Sequence, residues 1–310
     1  YLDFDSVGYT KDYLNEGIKQ YNDFINYHFN VDFNGRTTND DIYDLFDTNY
    51  GDNNVYNIKE SESHSTHVSG IISANRENKN GNKGINSLAE IMVLRAVPNG
   101  DEYDKDVALA IRYAVDNGAK IINGSFGKYF SSNPEWVIDA IRYASENNVL
   151  VIAAAGNESK DLDLLNNDNY PNDQFFNKDE FSDTFIKVGA SSINLNENFT
   201  AYFSNYGKIN VDIFAPGVDI YSSMPNNKYK SQSGTSMASP VLAGIASLIM
   251  SYFPKLSAKK VKEIILESGI EVDIEIGNLG EKKHFREYSK SGKLVNAYNA
   301  LILASKSKGK

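Results

Sequence analysis

The chain has 310 residues, 41% of them hydrophobic and 23% charged, with a formal net charge of -10. That is enough for a sizeable core, but the charge has the wrong sign for the basic patch that nucleic acid requires. Cysteine is absent, which excludes disulfides, thiol nucleophiles and thiolate metal sites and leaves the redox compartment open. No apolar run approaches the ~18 residues of a membrane span. The start, Tyr1-Leu2-Asp3-Phe4-Asp5, lacks the basic end and apolar stretch of a signal peptide, so an exported form is expected to begin after processing.

Residues 1–63 are rich in Tyr, Asn and Asp and read as an N-terminal insertion or linker region. Only Lys11 to Phe29 shows helical periodicity there, and Asn34-Gly35, Gly51-Asp52-Asn53 and Ser61-Glu62-Ser63 are turn signals. From His64 onward short apolar runs alternate with helical patterns. Ile91 to Ala96 predicts a strand, and Lys105 to Asn117 a helix closed by Gly118. Lys120-Ile121-Ile122 predicts the next strand, and Asn133-Pro134 opens a helix through Asn147 with Asn as cap. Val149 to Ala153 is apolar at every position, as expected of a strand buried on both faces. Ile186 to Ala190, Val211 to Phe214 and Ile220 to Met224 predict further strands, and Ser236 to Phe253 a long buried helix. Ser257 to Ser268 and Lys293 to Ala304 supply two amphipathic helices, and residues 305–310 a tail. Alternating strands and helices indicate an α/β fold with a doubly wound parallel sheet flanked by helices on both faces. Chemistry then belongs at strand C-terminal ends and helix N-termini.

Three segments fall at such places. In Gly234-Thr235-Ser236-Met237-Ala238-Ser239-Pro240 a serine opens the buried helix, with its hydroxyl near the positive dipole end and its own N–H free to donate. An ordinary cap before a core helix is the bland reading. In Ser63-His64-Ser65-Thr66-His67-Val68-Ser69-Gly70 the two histidines lie at i and i+3, whereas the zinc-protease pattern needs i and i+4 with a glutamate after the first. A general base at a helix start is the stronger reading. Ala153-Ala154-Ala155-Gly156-Asn157 runs a buried strand into a carboxamide donor placed to meet an oxyanion, or into a plain turn.

Together, and in the order His, Asn, Ser, these segments resemble the motifs of subtilisin-like serine proteases (subtilases). Asn123-Gly124-Ser125-Phe126-Gly127 is similar to the family's substrate-binding strand. Phe203-Ser204-Asn205-Tyr206-Gly207, Phe214-Ala215-Pro216-Gly217 and Ser291 to Ala297 match further stretches, so the resemblance covers residues 64–304. It implies a peptidase domain in which His64 takes the Ser236 proton and Ser236 attacks a peptide carbonyl. Asn157 and the Ser236 N–H then stabilise the oxyanion. Gly124, Ser125, Phe126 and Gly127 would pair with the substrate backbone, and with Ala154, Ala155 and Gly156 they would wall the P1 pocket. These small walls lead us to expect an apolar or aromatic P1 side chain. An extracytoplasmic location is implied by the family alone.

The family also needs an Asp that ends a central strand upstream of the His motif. Asp5 is the nearest candidate, but its text lacks the adjoining Gly, and Asp3 would put a charge in a buried strand. Asp23, Asp32, Asp40 and Asp41 lie in polar or helical text. A central strand cannot be left out without exposing unpaired backbone on its neighbours. The expectation is therefore an upstream segment, separate or cleaved, that carries the triad Asp as a partner of this chain. The alternative is a catalytically dead scaffold subunit. The triad chemistry requires no cofactor. Calcium is a candidate ligand for Asp161, Asp163, Asp168 and Asp173, or for Asp101, Asp104 and Asp106, although neither cluster has an EF-hand pattern and solvated loop charges are the plainer reading. Ser65 stands where the family has Gly, and Gly124 where a larger side chain is common.

Overall fold

A strand that is apolar at every position has no face for water and must lie between two layers. Leu150–Ala154 meets that condition, with all its residues buried. The computed structural model describes residues 14–307 apart from 16, 19–20, 23, 29, 31, 34, 37, 57–61, 98–99, 101, 175–178 and 279–280. Its helices are His64–Ser73 (α1), Asp104–Asp116 (α2), Pro134–Glu146 (α3), Thr235–Tyr252 (α4), Ala258–Ser268 (α5) and Ala297–Lys306 (α6). The strands are Ile121–Gly124 (β1), Leu150–Ala154 (β2), Phe185–Ser191 (β3), Ile213–Pro216 (β4), Ile220–Met224 (β5), Lys228–Gln232 (β6), Ile270–Glu271 (β7), Glu275–Asn278 (β8), Glu281–His284 (β9) and Lys293–Leu294 (β10).

The main sheet has the order β1-β2-β3-β4-β10-β7. Its pairings are parallel except at the β7 edge. The period-2 alternation of β2 divides the core. Leu150 and Ile152 join Ile186, Val188 and Ile213 under α4, α5 and α6. Val149, Val151 and Ala153 join Phe185 under α2 and α3 on the other face. Each fully buried Val, Leu or Ile side chain stabilises the fold by about 1.5–3 kcal/mol, so both layers are held by the same strands. β5 and β6 form a separate hairpin, as do β8 and β9. Among the described residues α4 alone is long and apolar enough to cross a membrane, and 61% of that window is buried inside the domain. It is the core helix that its composition predicts.

The predicted α/β order holds, with boundary shifts of a few residues. Gly118 follows α2 at φ 86°, where a side chain would be strained. Four expectations change. Ile91 to Ala96 is irregular, not a strand, and Ile91, Met92 and Val93 are exposed. An apolar run becomes a strand only when a neighbour takes its N–H and C=O groups, and none does so among the described residues. The Asn133 side chain makes no cap; Asp104 Oδ2 accepts the Asn133 N–H at 2.9 Å instead. The last helix starts at Ala297, because Lys293 and Leu294 pair with β7, and Leu294 with β4 as well. Of the predicted Lys11 to Phe29 helix, residues 14–15, 17–18 and 21–22 are helical and Phe24–His28 is a π-turn; its ends lie outside the described residues.

Several of the clustered carboxylates are tied into the fold, while Asp168 is exposed. Asp104 pairs with Lys128 at 2.8 Å, and Asp106 with Arg36. Asp163 accepts the N–H groups of Ile209 and Asn210 at 3.0 Å. Asp101 lies outside the described residues. Arg36 also pairs with Asp40, and Lys105 Nζ reaches Asp40 Oδ2 at 2.6 Å. This network docks Arg36, Asp40 and Tyr50 on α2 and commits Asp40 to a structural role: burial raises its pKa, but hydrogen bonds from Lys105, Thr38 and Arg36 outweigh that and hold it at about 2.

Candidate active site

Residues at the carboxyl ends of β1 and β2 meet the N-terminus of α4, as a parallel sheet requires. Ser236 lies in the first turn of α4. Its Oγ donates to Ser125 O at 3.2 Å, while Ser125 Oγ donates to Ser236 O at 2.9 Å. Asn123 Nδ2 donates to Ser125 Oγ at 2.9 Å, and Ser239 Oγ to Asn123 Oδ1 at 2.7 Å. The Ser236 turn is thus fastened to the end of β1 by a chain of hydrogen bonds that a shift of either element would break.

The Asn157 carboxamide has a fixed direction. Its Oδ1 accepts from Thr235 N at 2.9 Å and from Thr235 Oγ1 at 3.0 Å. With the oxygen so held, Nδ2 remains to serve a developing oxyanion. The same Thr235 hydroxyl accepts the Gly156 N–H at 3.0 Å. Gly156 sits at φ 99°, the left-handed region that lets the chain turn sharply out of β2. Asn205 fastens the turn from behind. It is wholly buried, it donates to Ala155 O at 2.8 Å, and its Oδ1 accepts from Glu158 N and Lys160 N. Replacing Thr235 by the isosteric Val is expected to lower kcat about tenfold with little change in KM, because the oxyanion donor loses its anchor. Steady-state kinetics on a peptide substrate checks this.

His64 is the first residue of α1; part of its surface reaches solvent, and protein surrounds the rest. Val68 and Ile71 of α1 pack on Met237 of α4, which brings the imidazole segment to the Ser236 end of the domain. Among the described residues the His64 side chain makes no hydrogen bond or ion pair, so the imidazole has neither Ser236 nor a carboxylate as its partner. Crowding by protein, and to a smaller extent His67, lower its basicity below the ordinary 6.5. Its neighbour His67 is fully buried, with Nε2–H donating to Lys230 O at 3.0 Å and Nδ1 unpartnered among the described residues. That commits the Nε2 side of the ring to the hairpin that carries Lys230. Burial lowers the His67 pKa below 6.5. The unfolded chain therefore takes up this proton first as pH falls, and stability is lost from pH 6.5 downward. A melting series from pH 7 to 5 should show that loss, and His67→Asn, less stable at pH 7, should show a shallower slope.

The predicted substrate-facing residues divide. Gly124 ends β1, and Ser125, Phe126 and Gly127 continue it outside regular strand. Ala154, Ala155 and Gly156 leave β2 beside them, with Ala154 and Ala155 buried. A Cβ on Gly124 would meet the Phe126 ring at an ordinary 3.5 Å, so the missing side chain there leaves no gap. Residues that fasten these segments and the loop beside them, and that the motif reading passed over, are Thr235, Ser239, Asn205 and Lys187, the last through its bonds to Asn169. A lysine inside the apolar run Phe185-Ile186-Lys187-Val188 was the readable signal for the last of them.

The sequence profile described as the Subtilase family matches residues 11–292. The chain belongs to the subtilase family. It is 36% identical over 233 residues to the "Cell wall-associated protease" of Bacillus subtilis (strain 168), covering 75% of this chain and 24% of that protein. It is also 36% identical over 189 residues to thermitase of Thermoactinomyces vulgaris, covering 61% of each. The chain spans 46% of the "Thermophilic serine proteinase" of Bacillus sp. (strain AK1), so it matches only part of several relatives. Among solved structures, the patellamide maturation protease PatA superposes with TM-score 0.61 at 26% identity, over 79% of this chain and 85% of that one. The prenylagaramide maturation protease PagA gives 0.59 at 28% identity, over 77% and 82%. The subtilase fold and the serine protease family are thereby established for this chain.

Proposed function

We propose that this subtilase chain is a serine endopeptidase that cleaves peptide bonds through an acyl-enzyme, with Ser236 as nucleophile, His64 as general base and Asn157 as oxyanion donor. One observation carries the reading: Thr235, the residue before Ser236, holds the Asn157 oxygen through both its N–H and its hydroxyl, which ties the carboxamide to the start of α4 and leaves Nδ2 available as a donor. A scaffold protein has no need to fasten an exposed carboxamide to the first turn of the helix that carries the serine. The hydroxyl adds to the carbonyl carbon, its proton passes to His64, and that proton then goes to the departing amine as the C–N bond breaks. Water repeats the cycle and frees the acid product.

The triad acid belongs to a further strand, carried by a segment preceding the described residues or by a separate polypeptide. Two features support this. β1 pairs with β2 alone among the described residues, so its outer edge is bare. The apolar run at residues 91–97 precedes α2 and β1 as the first strand of a right-handed crossover would, yet it lies exposed and unpaired. One extended apolar segment would satisfy both. Asp5 and Asp23 lie outside the described residues, and Asp40 is committed to Arg36 and Lys105. The dead-scaffold alternative draws on the unpartnered His64. An extracytoplasmic site of action belongs to the same proposal and rests on the family resemblance, although relatives include both the "Cell wall-associated protease" and the "Major intracellular serine protease" of Bacillus subtilis. A fluorophosphonate probe decides between enzyme and scaffold. Labelling at Ser236 that disappears in His64→Ala supports the enzyme, and no labelling with the upstream segment present supports the scaffold.

A further inference from the structure

The body of α1 is held firmly, but the anchors lie behind its first residue. Ser222 Oγ of β5 donates to His67 O at 2.7 Å, and Val68 and Ile71 pack on Met237. His64 precedes all of these. Ser63, at the cap position, makes no side-chain bond to the free N–H groups of the first turn, and an uncapped helix end frays. A tie to the residues just ahead of His64 comes from elsewhere in the chain. Arg95 Nη2 donates to Glu62 Oε2 at 3.0 Å, and Arg95 Nη1 donates to Tyr56 O. One guanidinium fork therefore closes the chain between Tyr56 and Glu62 into a loop that ends two residues before the imidazole. Arg95 is also the one charged residue of the apolar run Ile91 to Val97, and that run lies exposed and without a strand neighbour among the described residues.

We propose that Arg95 is a positioning residue for His64: through its fork on Tyr56 and Glu62 it transmits the docking of the upstream strand on residues 91–97 to the imidazole. This rests on the endopeptidase reading and on the upstream strand proposed with it. While residues 91–97 are unpaired, their backbone is free to shift, and the start of α1 is tied to a movable point. A neighbouring strand takes the N–H and C=O groups of the run and fixes the Arg95 backbone. The guanidinium then holds Glu62, and with it the entry to α1, in one place. The imidazole thus loses freedom in the same event that brings its carboxylate. The Arg95 and Glu62 side chains are 38% and 25% exposed, and an ion pair so open to water contributes little to stability. A general base displaced by about 1 Å, by contrast, loses much of its effect on rate. Lysine offers no fork of two donors in fixed geometry and does not replace Arg95 fully.

The test compares Arg95→Met with the parent, both produced with the upstream strand that ends in Asp. The expected result is a kcat about tenfold lower with KM unchanged, an unaltered melting temperature, and the same hydrogen-exchange protection of residues 91–97. Arg95→Lys should recover part of the loss. Glu62→Gln should lose less than Arg95→Met, and the double variant should be no worse than Arg95→Met alone, because the two residues act as one link. A second readout needs no turnover: the Cε1–H resonance of His64 is titrated in the Ser236→Ala protein. Docking of the Asp strand should move the His64 pKa upward in the parent and by less in Arg95→Met. Unchanged kcat and an unchanged His64 titration in Arg95→Met overturn the proposal. So do additive losses in the double variant, and so does lost protection of residues 91–97, which would make Arg95 part of the docking surface instead. The readings beneath it fail differently. A parent in which Ser236 takes no fluorophosphonate label removes the endopeptidase, and one in which residues 91–97 gain no protection removes the upstream strand and this link with it.

Discussion

Ser236→Ala and His64→Ala are each expected to lower kcat by about 10⁶ in the acid-complemented enzyme, as in subtilisin, and the double variant should be scarcely worse than either. The reason is that hydroxyl and imidazole act as one device. Without the base the hydroxyl is too weak a nucleophile, and without the hydroxyl the base has no proton to take. A residual rate of about 10³–10⁴ over water should persist in all three, since the Asn157 amide and the peptide-binding edge are untouched. Single-turnover kinetics with a quenched-fluorescence peptide gives these numbers. A Ser236→Ala protein that retained full activity would remove the hydroxyl from the mechanism altogether. The resting bond from Ser236 Oγ to Ser125 O, at 3.2 Å, is long enough to be exchanged for one to His64 when the site closes.

Supplying the missing carboxylate is the second large effect. Turnover should rise about 10⁴-fold when the chain is produced with an upstream strand ending in Asp, and should show little gain when that Asp is Asn. The carboxylate holds the imidazole in the correct tautomer and stabilises its protonated form during the reaction. Its signature is also visible in pH dependence. His64 alone has its pKa lowered by desolvation and by His67, so it stays neutral to below pH 6.5. A carboxylate against it favours imidazolium and moves the acid limb of kcat/KM upward. Hydrogen exchange gives an independent reading: amides of β1 and of residues 91–97 should become protected when the strand docks, and in the Asn form as well. Full activity in a protein with every upstream carboxylate replaced would leave the bare β1 edge unconnected with catalysis.

Much of the site could be read because its chemistry is local. Ser236 is found from a cap-like serine before an apolar helix, Asn157 from a carboxamide after a strand buried at every position, and His64 from an imidazole opening a helix. Each rests on a few adjacent residues whose types restrict the backbone. The supporting groups come from far along the chain. Thr235 meets Asn157 across 78 positions, and Lys187 reaches Asn169 only because β3 and the loop before it fold together. The strand predicted at Ile91 to Ala96 shows the converse case. Its pattern is a strand's pattern, but the hydrogen-bonding neighbour that would make it one is absent among the described residues.

The amino-acid sequence alone determined the layering of helices on a parallel sheet and the order of the three motifs. These follow from periodicity and from short-range backbone restrictions, which are properties of neighbouring residues. Only the tertiary structure decided what holds the Asn157 carboxamide, that Lys187 reaches Asn169, and that β1 has one side unpaired among the described residues. Those are set by partners many residues distant, and a hydrogen bond's direction depends on where its donor and acceptor come to rest, not on where they stand in the chain.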